Sequence, residues 1–134
     1  MESTVEIYCD GGARGNPGPA ACAFVAITNG KIIYKQGKYI GKATNNVAEY
    51  SAVILALTWL TKQNFQEINF RLDSQLVARQ LEGSYKIKNE NLKSLFATAR
   101  ELQKKLNTQI NFSYVPRIKN VLADRLVNDT LDEN

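Results

Sequence analysis

Asn29-Gly30 stands between two stretches, residues 20–28 (AACAFVAIT) and 31–39 (KIIYKQGKY), that are rich in β-branched and aromatic side chains. Both positions of the dipeptide tolerate positive φ, which a two-residue hairpin connection demands, so the two stretches are predicted to be antiparallel neighbours. Residues 4–10 (TVEIYCD) alternate in the same manner and are predicted to form a strand ending at Asp10. The run GGARGNPGP behind it forces a loop. The chain is therefore expected to open with three sequential antiparallel strands.

The periodicity then changes. From about Asn46 to Lys62 the apolar residues Tyr50, Val53, Leu57 and Leu60 recur at helical spacing, behind the potential caps Thr44, Asn45 and Asn46. EINFRLD (67–73) reads as a buried strand ending in an aspartate, and SQLVARQL as a short helix stopped near Gly83. An amphipathic helix is predicted from about Asn89 to Leu106, with Leu92, Leu95, Phe96, Ala99 and Leu102 on one face. A strand at 109–115 (QINFSYV), a loop PRIKN and a final helix over 120–131 follow. The order βββαβααβα implies an α/β fold: a five-stranded mixed sheet, three antiparallel strands and then two parallel ones, with helices on both faces.

At 134 residues with 44% hydrophobic content, one domain spanning 1–134 is expected. There is no apolar run near the roughly 18 residues that would cross a bilayer, and MESTVEIYCDGG lacks the basic-then-apolar build of a signal peptide. The default expectation is a soluble cytoplasmic protein, monomeric, without an obligate protein partner or a membrane. Lys+Arg 17 against Asp+Glu 13 gives a net charge of +4, a modest bias towards a polyanionic partner. Cys9 and Cys22 match no metal-ligand spacing and read as small buried thiols. The absence of histidine excludes His-dependent triads, His-ligated zinc and the usual general base.

Chemistry in a sheet of this kind gathers at the carboxyl ends of adjacent strands. Asp10 and Asp73 end the first and fourth strands, Glu49 stands near the start of the long helix, and Asp124 near the start of the last. Each has an ordinary structural alternative: Asp10 as a turn residue, Asn46-x-x-Glu49 as a capping box, Asp73 as an N-cap, Asp124 as a solvated helix charge. Four carboxylates packed together would repel one another unless a cation joined them. An oxygen-only donor set favours hard ions, Mg²⁺ or Mn²⁺, and such a site suits two-metal phosphoryl transfer.

These residues also carry a resemblance that covers essentially the whole chain. YCDGGARGNPGPAACAFV resembles the first strand and glycine-rich loop of the type 1 ribonucleases H, TNNVAEY their glutamate motif, LDSQLV their second aspartate motif, and VPRIKNVLADRLVN their closing loop and helix. The resemblance implies an endoribonuclease that cuts the RNA strand of an RNA/DNA hybrid with two Mg²⁺ (or Mn²⁺) ions, leaving 5′-phosphate and 3′-hydroxyl ends. It assigns Asp10, Glu49, Asp73 and Asp124 as metal ligands. It further implies that the loop backbone near Gly15, with Asn16, Asn45 and Gln75, reads the RNA 2′-hydroxyl, and that Thr44, Asn46 and Asn89 grip the DNA strand. Turn and capping duties are the alternative for these amides, and Asn89 in particular is placed to cap the helix behind it.

Two departures from the family pattern stand out. Many members carry a histidine in the loop before the last helix, where this chain reads VPRIKN, as in a subgroup without it. Arg117 is the candidate for a partial replacement, able to steer phosphate or help product leave but, as an arginine, not to act as a general base. The link LEGSYKIKNENL is also short, without the extra helix and basic, tryptophan-bearing protrusion of many relatives. Tyr85, Lys86 and Lys88 are candidates for a reduced version, with exposed, solvated side chains the alternative. Weaker and more salt-sensitive hybrid binding is expected. The competing readings are a catalytically silent hybrid-binding module on the same fold, an integrase- or exonuclease-like relative, and a small α/β interaction protein.

Overall fold

The computed structural model describes residues 3–134. Its elements run β1 Thr4–Ala13, β2 Gly18–Thr28, β3 Lys31–Ala43, α1 Asn45–Leu60, β4 Glu67–Leu72, α2 Gln75–Glu82, α3 Glu90–Leu106, β5 Gln109–Tyr114, a 3-10 turn Arg117–Lys119, and α4 Val121–Asp132. The strands form one five-stranded sheet in the order β3-β2-β1-β4-β5. The first three are antiparallel neighbours, while β4 is parallel to both β1 and β5. This is the mixed sheet expected from the alternation of periodicities. At the hairpin, Asn29 and Gly30 have φ of 52° and 75°, the pair of positive values that a tight turn matched to strand twist requires.

The sheet has two unequal faces. Val5, Ile7 and Cys9 of β1 and Cys22, Phe24 and Ala26 of β2 point into the large core, which is closed by α1, α2 and α3. Among the described residues the opposite face is covered by α4, where Ala21 and Ala23 pack against Val127 and Leu131. Small alanines let α4 lie close to the strands, and that closeness brings its first turns within reach of the strand ends. No described helix is long and apolar enough to cross a membrane.

The strands run longer than their local patterns suggest. β1 does not stop at Asp10, because Gly11, Gly12 and Ala13 keep their pairing with Cys22, Ala21 and Ala20 of β2. What ends at this level is the pairing on the other edge, where the last parallel partners are Cys9 and Leu72. Asp10 thus sits where β1 loses one of its two neighbours rather than where the strand ends. The predicted loop over GGARGNPGP shrinks to residues 14–17. β3 likewise continues past Tyr39 to Ala43, through an irregularity opposite Ala20 and Ala21. In each case a paired neighbour supplies hydrogen bonds that hold an intrinsically poor strand sequence extended.

Candidate active site

Cys9 and Leu72 are register partners on adjacent parallel strands, so the residues that follow them, Asp10 and Asp73, emerge side by side. The third carboxylate comes from α1. That helix lies so close to β1 that a Cβ on Gly11 would stand 2.2 Å from the backbone carbon and oxygen of Ala48, which accounts for glycine there. The Gly11 N–H donates to Oε1 of Glu49 at 3.0 Å. Asp10, Glu49 and Asp73 each present an oxygen, and these oxygens all lie within 4.8 Å of one another. Asp124, half-buried on α4, lines the same cleft of about 380 Å³ without belonging to that tight trio.

The structural alternatives are taken up by other residues. Thr44 caps α1, accepting from the Val47 N–H, so Glu49 is not spent in a capping box. Ser74, not Asp73, caps α2 through the Val77 N–H. Asp10 lies within a strand and not in a turn.

The electrostatics are those of a site built for positive charge. Burial, with the charges of Asp73 and Asp124 adding to it, pushes the Asp10 carboxyl up from 3.8 to about 7 against the pull of its hydrogen-bonding neighbours. Burial and the adjoining Asp10 and Asp73 push Glu49 well above the usual carboxylate range. Among the described residues no lysine or arginine forms an ion pair with any of the four. Glu49 Oε2 is buried without a hydrogen-bond partner. An oxygen with a free lone pair, an all-oxygen donor set and unpaired charge together fit Mg²⁺ or Mn²⁺.

A second set of predicted residues gathers beside the cleft. Asn16 Oδ1 accepts from the Asn45 N–H at 2.9 Å, and Asn45 Oδ1 accepts from the Ala13 N–H at 2.8 Å. These bonds stitch the β1–β2 loop, in which Gly15 takes φ +93°, to the start of α1. Asn16, Thr44, Asn46 and Asn89 line one small pocket with Val47 and Leu92. Asn89 also caps α3, accepting from the Leu92 N–H at 3.1 Å, so the capping alternative holds for it. Gln75, exposed at the start of α2, lines neither cavity. Arg117 is exposed in the 3-10 turn and lines the carboxylate cleft. Tyr85, Lys86 and Lys88 are exposed. Cys9 and Cys22 are buried free thiols, both pushed up chiefly by burial, Cys22 to about 12.

Two residues at the cleft escaped sequence reasoning. Arg14 lines it while paired with Asp132 of α4 at 2.7 Å. Asn120 donates from Nδ2 to the Cys9 carbonyl at 2.7 Å and to Asp73 Oδ2 at 3.2 Å. An asparagine four positions ahead of the candidate ligand Asp124, at the start of the last helix, was the available signal for Asn120.

Comparison with known proteins places this geometry among relatives. A sequence family described as reverse transcriptase-like matches residues 8–130. The chain is similar to the ribonuclease HI of Halobacterium salinarum, 42% identical over 130 residues that cover 96% of this chain and 65% of that protein. It is also similar to a bifunctional protein of Mycobacterium tuberculosis, 41% identical over 96% of this chain and 35% of the other. The chain thus spans from about a third to just under two thirds of these relatives' lengths. A crystal structure of RNase H1 from Halobacterium salinarum superposes with a TM-score of 0.92 at 41% identity, covering 98% of this chain and all of that one. LC11-RNase H1, solved in complex with an RNA/DNA hybrid, gives a TM-score of 0.91 at 40% identity over 96% and 97% of the two chains.

Proposed function

The chain belongs to the type 1 ribonuclease H family, and from that premise we propose that it is an endoribonuclease hydrolysing the RNA strand of RNA/DNA hybrids, leaving 5′-phosphate and 3′-hydroxyl ends. The observation that carries the reading is the trio of Asp10, Glu49 and Asp73 oxygens within 4.8 Å of one another, beside Asp124 in one open cleft. Relatives named as ribonucleases H, one of them solved on a hybrid, support the choice of substrate.

Asp10, Glu49, Asp73 and Asp124 are the residues that would hold two Mg²⁺ or Mn²⁺ ions. Ions held by these carboxylates would supply Lewis-acid activation of water and charge stabilisation at the RNA phosphate, the chemistry that in-line hydrolysis needs. Glu49 is held for this by the Gly11 N–H, which leaves Oε2 free. Arg117, on the rim of the same cleft, steers the scissile phosphate and assists departure of product. The loop backbone at Gly15, with Asn16, Asn45 and Gln75, reads the 2′-hydroxyl, and Thr44, Asn46 and Asn89 receive a DNA phosphate in their small pocket. Two buried free thiols accord with a reducing, cytoplasmic compartment.

A silent hybrid-binding module would have no use for four carboxylates that repel one another in the absence of cations. The deciding experiment incubates a labelled RNA/DNA hybrid with the protein and Mg²⁺ or Mn²⁺, alongside Asp73→Asn. Cleavage by the unmodified protein and none by the variant is expected. Failure of the unmodified protein with both ions would end the enzyme reading, and equal cleavage by Asp73→Asn would end the site assignment.

A further inference from the structure

We propose that Asn120 is a positioning residue of this site, whose side-chain amide holds the Asp73 carboxylate in the orientation in which it shares a cation with Asp10 and Glu49. The inference rests on the metal-site reading above and concerns how this chain prepares that site.

Asn120 immediately precedes α4, the place and residue type for an N-cap, yet its side chain makes no capping hydrogen bond. Only 1% exposed, it turns inward instead. Nδ2 donates to the Cys9 carbonyl at 2.7 Å and to Asp73 Oδ2 at 3.2 Å. Both partners are pure acceptors, so the amide has one sensible orientation, with the NH₂ towards them. The backbone of the same residue is fixed as well. Its N–H donates to the Arg117 carbonyl at 2.9 Å, and its carbonyl accepts from the Asp124 N–H at 3.1 Å. One asparagine therefore touches β1 at Cys9 next to Asp10, the carboxylate leaving β4, and the first turn of the helix that carries Asp124.

The cost of this arrangement identifies its purpose. Asn120 Oδ1 is buried with no hydrogen-bond partner. A residue kept only to fill space would avoid an orphaned carbonyl, and an apolar side chain of similar volume would do so. The NH₂ half is what the position uses. It makes the one side-chain hydrogen bond to the Asp73 carboxylate among the described residues, engaging Oδ2 and so setting the direction of Oδ1. Partners of this kind behind ligating carboxylates orient the ligand and tune affinity for the ion.

The test is Asn120→Ala, made both in the unmodified protein and in Asp73→Asn, with Mg²⁺ uptake by the protein alone followed by calorimetric titration. In the unmodified background the Mg²⁺ dissociation constant should rise about 10- to 100-fold, with circular dichroism and hybrid affinity in EDTA unchanged. In the Asp73→Asn background the same substitution should weaken Mg²⁺ no further. An unaltered Mg²⁺ affinity in the first, or an equal additional loss in the second, overturns the proposal. Should Asn120→Ala not fold, the Asn120 side-chain NH₂ resonances of the unmodified protein decide the matter: they should move on Mg²⁺ addition, and signals that stay in place refute the role. Absence of any Mg²⁺ uptake by the unmodified protein sinks the metal site itself and this role with it, and is told apart because it needs no variant.

Discussion

The N–H of Gly11 donates to Oε1 of Glu49 at 3.0 Å, joining β1 to α1 across 38 residues of chain. The same approach puts the Ala48 backbone 2.2 Å from where a Gly11 Cβ would be. Backbone atoms cannot swing aside as a flexible side chain would. Gly11→Ala should therefore displace α1, destabilise the protein by about 1–3 kcal/mol in urea unfolding, and carry Glu49 away from its partners. Loss of cleavage larger than the loss of folded protein is expected, and unchanged stability would show that α1 can retreat freely.

The raised carboxyls couple stability to pH. Because Asp10 stands at about 7 in the folded protein against 3.8 unfolded, the folded state keeps a proton that the unfolded state releases. Stability is thus full below the unfolded value and declines as pH climbs towards 7, with Glu49 acting in the same direction. In EDTA, thermal denaturation should show a loss on the order of 2 kcal/mol between pH 5 and pH 8. Mg²⁺ should restore stability at pH 8 and do little at pH 5, because ion and proton compete for the same oxygens. A Tm that rises with pH in EDTA would contradict the burial of these groups.

Arg117 lines the cleft from the exposed side. Arg117→Ala should raise KM for the hybrid about tenfold, the worth of one charge-assisted contact of about 1.4 kcal/mol. Arg117→Lys should recover part of that, since the positive charge survives, while the pH dependence of kcat stays the same in both. A changed pH profile would mean that this residue takes part in proton transfer.

The link between α2 and α3 contains only residues 83–89, and its Tyr85, Lys86 and Lys88 project into solvent without forming a separate protrusion. Hybrid affinity should then rest on few phosphate contacts, which weakens binding but makes its salt dependence shallower than in relatives with more contacts, not steeper. With about four of them, fluorescence anisotropy should record a loss near 100-fold from 50 to 200 mM salt. Little loss over that range would point to a larger uncharged interface than the cleft offers.

The hairpin at Asn29-Gly30, the helical spacing from Tyr50 to Leu60 and the swing between the two periodicities are local properties, and each appears in the folded chain where the sequence places it. They determine the order of elements and, with it, that Asp10 and Asp73 leave parallel neighbours at one level. Three things were not local. Whether β1 ends at Asp10 depended on β2 offering partners as far as Ala20. Whether Glu49 capped its own helix depended on how near β1 allowed that helix to come, and Thr44 took the cap instead. Asn120 falls in the sequence at the junction of the predicted loop PRIKN and the last helix, yet its side chain bonds Cys9, 111 residues away, and Asp73, 47 away. Residue types and their periodicity determined which groups this protein has and on which elements they ride. The tertiary structure decided which of them meet, because a side chain's hydrogen-bond partners are chosen by the packing of elements that are remote in the chain.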